Sequence, residues 1–182
     1  MMDEIQPIFL IAVPQMGDPN FSRTVVLVLQ NDEEGAIGLV INRPTQITLE
    51  RFADGQGLPC HKRLADTVVF RGGPVQAERG WILHADDSVE ERQEVIAGLY
   101  VSTGSDTLEE LMKRGSKPLR LYLGYAGWGA GQLEKEMIEG AWITAEAHAK
   151  YIFETPPDKL WNQILADLGV DPNRLMVGTG LH

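Results

Sequence analysis

The stretch Leu121–Trp142, LYLGYAGWGAGQLEKEMIEGAW, carries the strongest structural signals in the chain. It opens on an apolar run typical of a strand, and glycines follow at positions 124, 127, 129 and 131. Glycine permits backbone conformations that other residues avoid, and it lets the main chain approach a neighbour closely. An acidic helix follows. The pattern predicts a short strand, a glycine-rich loop that carries Tyr125 and Trp128, and a helix.

The order of strand, glycines and helix invites comparison with phosphate-binding loops, but the details differ. A P-loop needs Lys and then Ser or Thr at the start of the helix, where this chain has Gln132. The dinucleotide fingerprint G-x-G-x-x-G is absent as well. Glu134 and Glu136 lie in the first turns and would repel a phosphate. We therefore expect a tight turn that packs Trp128 against the core, with a ligand cradle as the alternative.

Apolar runs rich in β-branched residues predict strands along the rest of the chain. They cover Phe9–Val13, Val25–Leu29, Ile37–Ile41, Thr67–Phe70, Trp81–His84, Val95–Ser102, Leu119–Leu123 and Ala141–Thr144. The second and third of these runs are predicted to form a hairpin, closed by the polar loop Asn31–Gly35.

The ends of the predicted helices are marked more clearly than their middles. The first is predicted to have Thr107 as its N-cap and to stop at Gly115. The second covers Gln132–Glu139, and its predicted apolar face consists of Leu133, Met137 and Ile138. Gly140 follows at the position where helices commonly end.

The third helix has the clearest start. Thr155 is the predicted N-cap and Pro156 the first helical residue. A buried stripe then runs from Leu160 to Leu168, and Gly169 ends the helix. Strands are adjacent early in the chain and interleaved with helices later, which indicates an α+β fold. No repeat or linker appears, so we predict a single domain over residues 1–182.

Composition and charge restrict the function. The net charge is −10, from 26 acidic and 16 basic residues, and this disfavours direct nucleic-acid binding, which depends on phosphate neutralisation by Lys and Arg. The single cysteine, Cys60, fits a reducing compartment. No apolar run reaches the roughly 18–20 residues that span a bilayer, and the N-terminus has acids where a secretory signal needs bases. We therefore expect a cytoplasmic protein that does not associate with membranes.

Two arginines follow predicted strands and are candidates for ligand binding. Asn42-Arg43-Pro44 ends one strand, and Pro44 is expected to stop the sheet there. Arg71-Gly72-Gly73-Pro74 ends another. If the two strand ends are neighbours, the arginines could hold a carboxylate or a phosphate bidentately. The alternative is that each arginine caps carbonyls or pairs with one of the many acids.

Other chemistry finds little support in the sequence. The four histidines lack the spacing of a metal site. Nothing near Cys60 lowers its pKa enough for reactivity, and no serine lies in a G-x-S-x-G elbow. We assign no catalytic residue, no metal site and no cofactor.

Four motifs together resemble the YqgE/AlgH family of bacterial proteins. In chain order they are Pro14–Phe21 (PQMGDPNF), Gly35–Pro44 (GAIGLVINRP), Arg71–Val75 (RGGPV) and Gly124–Glu134 (GYAGWGAGQLE). They occur in the order of that family, and the resemblance runs from about Phe9 to the C-terminus.

This resemblance implies a cytoplasmic protein whose mixed, largely antiparallel sheet curls into a partial barrel with flanking helices. Some members are labelled transcriptional regulators, but the family has no settled biochemical activity and supplies no catalytic residues. The motif positions become the candidate ligand-binding residues Asn42, Arg43, Arg71, Gly72, Gly73, Tyr125, Trp128 and Gln132.

The leading hypothesis is a binding or regulatory protein in which the three motif loops form one face. That face would take a small anionic ligand or a protein partner. One alternative is an enzyme that acts on a small anionic metabolite, with the arginines as anchors and no metal. The other is a transcriptional regulator that works through a protein partner rather than by direct contact with DNA.

Overall fold

The computed structural model describes residues 7–173. Their strands are β1 (Ile8–Ala12), β2 (Val25–Asp32), β3 (Gly35–Val40), β4 (Pro44–Thr48), β5 (Val68–Arg71), β6 (Val75–His84), β7 (Gln93–Ile96), β8 (Leu99–Ser102), β9 (Leu119–Gly129) and β10 (Trp142–Glu146). Their α-helices are α1 (Leu49–Gln56), α2 (Ser105–Arg114), α3 (Gln132–Ile138), α4 (Ala149–Phe153) and α5 (Pro157–Asp167). Within residues 7–173, no helix is long and apolar enough to cross a bilayer.

The strands form one curled sheet in the order β10-β1-β2-β3-β9-β6-β8-β7, and β5 pairs with both β4 and β9. The pairs are antiparallel except for β5 with β9, which is parallel. This is an α+β half-barrel, which confirms the predicted fold class and the partial barrel.

Side chains on the two faces of the sheet pack against different helices. On the face that we call the α5 face, Phe70 and Tyr122 belong to the same core cluster as Leu160, Trp161, Ile164 and Leu165 of α5. The indole N–H of Trp161 donates a hydrogen bond of 2.8 Å to the carbonyl of Ala12, which fixes α5 against β1. On the opposite face, the α2 face, Val69 and Leu121 cluster with Leu108, Leu111 and Met112 of α2.

The prediction of a glycine loop after Leu123 is wrong, because β9 continues to Gly129. Its last residues, 126–129, pair with residues 35–38 of β3, and this long-range pairing outweighs the low strand propensity of glycine. Gly124, at φ +78°, interrupts the alternation of side chains, as a bulge does. Tyr125 consequently packs against the cluster on the α5 face, whereas Trp128 packs in a separate cluster with Trp142.

The connection between β5 and β6 crosses β9 at this bulge. The two strands lie on opposite sides of β9 and are joined only by residues 72–74. A Cβ atom on Gly73 would lie 2.1 Å from the carbonyl carbon of Tyr125, and one on Gly124 would lie 2.4 Å from the carbonyl oxygen of Gly73. Since real Cβ atoms do not approach other atoms so closely, only glycine permits the two backbones to cross here.

Several predicted strand boundaries are also corrected. Pro44 does not stop the sheet but begins β4, a position where the N–H that proline lacks is not needed. The predicted strand Val95–Ser102 is two strands, β7 and β8, that turn at Gly98 with φ +81°. In the first hairpin, strand pairing extends through Asp32 and resumes at Gly35, so the loop is shorter than predicted.

The helices also start differently from the prediction. α2 has Gly104 rather than Thr107 as its N-cap, although Gly115 ends it as predicted. α5 has Pro156 rather than Thr155 as its N-cap and begins one residue later than predicted. Helices α1 and α4 were not predicted.

Two apolar side chains of the predicted α3 face, and one of the stripe predicted to be buried on α5, are exposed. On α3 only Leu133 is buried, while Ile138 is 87% exposed and Met137 is 36% exposed, because α3 ends after two turns. Leu168 lies just beyond α5 and is 43% exposed.

Replacing Gly73 by alanine is expected to lower the free energy of unfolding by about 3 kcal/mol, the upper end of the usual range for overpacking, since the new methyl group would overlap the backbone of Tyr125. The matched control is Gly55→Ala in α1, where a Cβ meets nothing within 4 Å. This change should raise the free energy of unfolding by roughly 0.5–1 kcal/mol through helix propensity. Urea unfolding measures both. Equal free energies of unfolding of the two variants would contradict the close backbone contact between Gly73 and Tyr125.

Candidate functional site

The structure brings Arg43 and Arg71 together. The backbone N–H of Arg71 donates to the carbonyl of Arg43 at 2.8 Å, so the two strand ends are neighbours. Both arginines line a small concavity that is open to solvent, which we call the arginine corner; its residues are Asn20, Val40, Arg43, Arg71, Gly73 and Pro74. Gly72 and Gly73 provide the crossing beside it, and Gly73 also forms part of its wall.

The side chain of Arg43 is largely occupied with the loop of residues 18–23. Its guanidinium donates to the carbonyls of Asn20 at 2.6 Å, Pro19 at 2.9 Å and Ser22 at 3.0 Å. The alternative that an arginine caps carbonyls therefore holds for Arg43. A guanidinium has five N–H donors, so two remain for a further partner.

Asn42 holds the other end of the same loop. Its side-chain amide donates to the carbonyl of Arg23 and accepts from the N–H of Val25, both at 3.0 Å. Arg23 itself has φ +56°, an uncommon conformation for a residue other than glycine. Asn42 thus positions the loop that Arg43 caps, and its own amide group is taken up by backbone partners.

Arg71 differs from Arg43 because its guanidinium is exposed and unpaired. Among residues 7–173, no carboxylate forms an ion pair with it and no hydrogen bond involves its side chain. Burial, followed by the charge of Arg71, lowers the pKa of Arg43, and Asp18 opposes this effect. Two cations that repel each other at the rim of a concavity form a site where an anion would be stabilised.

Trp128 and Gln132 lie in a different environment, around the carboxylate of Glu136. This carboxylate accepts hydrogen bonds from the indoles of Trp128 at 3.1 Å and Trp142 at 2.9 Å, and from the amide of Gln132 at 2.9 Å. The amide oxygen of Gln132 accepts from the N–H of Gly129 at 3.0 Å. These contacts fasten α3 to the sheet.

The loop of residues 18–23 connects this cluster with the arginine corner. Phe21 stacks on Trp128 at a centroid distance of 6.1 Å, while the carbonyls on either side of Phe21 bind Arg43. Tyr125 lies outside both groups and makes an edge contact of 5.6 Å with Trp81. The candidate residues therefore divide into an exposed basic corner and a set of packing contacts.

Sequence reasoning missed the hydrogen-bonded pair His84 and Ser102, both fully buried. Nδ1 of His84 accepts from the N–H of Asp86 at 3.1 Å, so Nε2 carries the proton and donates to Ser102 Oγ at 2.8 Å. Ser102 in turn donates to the carbonyl of Glu91. In this tautomer the imidazole cannot accept the serine proton, so the pair is not a nucleophile with its base. No sequence signal links two residues 18 positions apart.

Within residues 7–173, no group of three or more His, Cys, Asp or Glu side chains is placed to hold a metal ion.

Glu136→Ala should lower the free energy of unfolding by about 2–4 kcal/mol, because the buried indole N–H groups of Trp128 and Trp142 lose their acceptor. Glu136→Gln keeps an acceptor oxygen and should therefore lower the free energy of unfolding by less than Glu136→Ala does. Glu134→Ala, on the exposed part of the same helix, is the control and should cost under about 1 kcal/mol. Urea unfolding followed by tryptophan fluorescence measures all three. Equal effects at positions 134 and 136 would contradict the structural role of Glu136.

Stability should fall as the pH is lowered from 7.5 to 5.5. Burial lowers the pKa of His84 below its usual value near 6.5, although Asp86 and Glu91 oppose this shift. The unfolded chain therefore binds a proton in this range that the native state resists, so stability is full above about pH 6.5 and declines below it. Urea unfolding at several pH values measures the decline, and NMR of the imidazole assigns it. Protonation of the His84 ring above pH 6.5 in the folded protein would contradict this account.

Comparisons with known proteins agree with these motifs. A protein-family model described as AlgH-like matches residues 9–173. A UPF0301 protein of Myxococcus xanthus is 43% identical over 181 residues, and the alignment covers 100% of both chains. A UPF0301 protein of Thioalkalivibrio sulfidiphilus is 42% identical over 165 residues, covering 90% of this chain and 89% of the relative.

Solved structures show the same fold. The solution structure of the AlgH protein of Pseudomonas aeruginosa matches with a TM-score of 0.77 at 36% identity, covering 97% of this chain and 96% of that one. A crystal structure of a Corynebacterium diphtheriae protein matches with a TM-score of 0.72 at 20% identity, covering 91% and 88%, and supports the fold alone. On its sequence and its structure, this chain belongs to the AlgH-like family, UPF0301.

Proposed function

We propose that this protein is a binding module whose arginine corner takes the carboxylate or phosphate group of a small ligand. The observation that carries the proposal is the exposed guanidinium of Arg71, which lies beside Arg43 and has no ion-pair partner among residues 7–173. An anion there would relieve the repulsion between the two cations and accept charge-assisted hydrogen bonds from both.

The corner is held rigidly, which favours binding. Arg71 ends β5 and is hydrogen-bonded through its backbone to Arg43, while Gly73 is fixed by the crossing over β9. A site that is already in its bound conformation loses little entropy when the ligand arrives. The concavity is small and open to solvent, so it can present its two arginines to one anionic group but cannot enclose a whole nucleotide.

The alternatives have weaker support. An enzyme needs an activated group near the ligand, but the residues that line the corner include no histidine, carboxylate or thiol. The net charge of −10 continues to disfavour direct contact with DNA. Regulation through a protein partner and the cytoplasmic location stay predictions.

Titration with inorganic phosphate and with acetate, followed by NMR, tests the proposal. The wild-type protein should bind one of them weakly, and binding should weaken as NaCl is raised because exposed charges are screened. Arg71→Gln should reduce the affinity about tenfold or more, since hydrogen bonds to a charged group contribute about 1.5–3 kcal/mol.

The matched control is Arg79→Gln, which removes one positive charge elsewhere. Arg79 lies over the ring of Trp81, whose side chain packs on the α5 face. If this control lost as much affinity as Arg71→Gln, binding would depend on net charge and not on the corner. Full affinity of the Arg71→Gln variant would likewise contradict the proposal.

A further inference from the structure

We infer that the ligand of the arginine corner is an amphipathic carboxylic acid, with its carboxylate on Arg71 and Arg43 and its apolar chain in the neighbouring groove of the α2 face. This inference rests on the proposed function and narrows the class of ligand.

The groove lies between α1, α2 and the sheet, and it has a volume of about 540 Å³, part of which is open to solvent. Its apolar lining, which we call the apolar groove, consists of Phe52, Leu58, Ile82, Leu108, Leu121 and Leu123. Gly80 of β6 also lines it and leaves space where other residues would carry a side chain. A surface of this kind favours hydrocarbon over water, because burying apolar area is stabilising.

The groove and the arginine corner share a border in the sheet. Arg71 of β5 is the paired neighbour of Leu123 on the parallel strand β9, so their Cα atoms are about 4.8 Å apart. The preceding pair, Phe70 and Tyr122, has its rings in contact on the α5 face. Since side chains alternate along a strand, Arg71 and Leu123 both project from the α2 face. Leu123 lines the groove and Arg71 lines the corner.

Charge fixes the direction in which a ligand would lie. Glu78, on β6, lines the groove across β9 from Arg71 and would repel a carboxylate from that side. The N-terminus of α2 is no competing anion site, because the carboxylate of Glu91 already accepts from the N–H groups of Thr103 at 3.0 Å and Gly104 at 2.8 Å. An anionic head group is therefore attracted to the Arg71 end, and the apolar chain of the ligand then lies in the groove.

The test compares the affinities of butanoate and octanoate, with octan-1-ol as an uncharged control of the same chain length. Burial of one methylene contributes about 0.8 kcal/mol when complete, so four half-buried methylenes should make octanoate bind at least about tenfold more tightly than butanoate. Octan-1-ol should bind at least about tenfold more weakly than octanoate, because it lacks the charge that the arginines recognise.

Two variants test the contributions of the head group and of the apolar chain of the ligand to binding separately. Gly80→Val should fill the groove, so octanoate should lose its higher affinity while the affinity for butanoate stays unchanged. The Cβ atom of this valine would lie 3.3 Å from Leu121 Cδ1, and a small shift of the leucine side chain accommodates it. Arg71→Gln should weaken both acids, and Arg79→Gln should weaken neither. Thermal unfolding confirms that each variant is folded.

The possible failures are distinguishable. If butanoate and octanoate bind equally through Arg71, the inference is wrong and the proposed function stands. If Arg71→Gln changes the affinity for neither the two acids nor phosphate, the proposed function is wrong as well. If a peptide ending in leucine binds through Arg71 and Gly80 far more tightly than octanoate, the ligand is a protein terminus and the inference is overturned.

Discussion

The backbone of residues 72–73 crosses that of residues 124–125 with no side chain between them, and the rest of the sheet depends on this contact. The crossing places β5 and β6 on opposite sides of β9 although only residues 72–74 join them. β9 thereby gains partners along both edges, and the bulge at Gly124 turns its second half towards β3. One steric condition, the absence of Cβ atoms at the crossing, thus sets the order of the central strands.

The same crossing explains why a basic corner exists. Arg71 is the last residue of β5, and the chain turns across β9 directly after it, so its side chain stays at the edge of the crossing. Arg43, which directly precedes β4, lies beside Arg71 and uses three N–H donors to hold the loop of residues 18–23. That loop also carries Phe21 to Trp128, so the motif segments form one connected structure. Of the two arginines in the corner, Arg71 is the one whose guanidinium is free of partners among residues 7–173.

Local sequence signals predicted some features well and others poorly. Helix ends at Gly115 and the buried strands around Val25 and Ile37 follow from glycine caps and apolar runs, and both were found. The extension of β9 through its glycines was missed because it arises from pairing with β3, which no local propensity encodes. From the sequence, the proximity of Arg43 and Arg71 could be predicted only on the condition that their strand ends are neighbours, since it depends on which strands pair. The roles of Glu136 and Ser102 were invisible for the same reason.

Chemical-shift mapping of the 15N-labelled protein during titration with octanoate tests the central claim most directly, because it locates the ligand without a mutation. The account predicts that the largest changes cluster at Arg71, Gly73, Gly80 and Leu123, where the arginine corner meets the apolar groove. Changes centred instead on the cleft lined by Lys117 and Arg120, with the Arg71 signals unmoved, would contradict it.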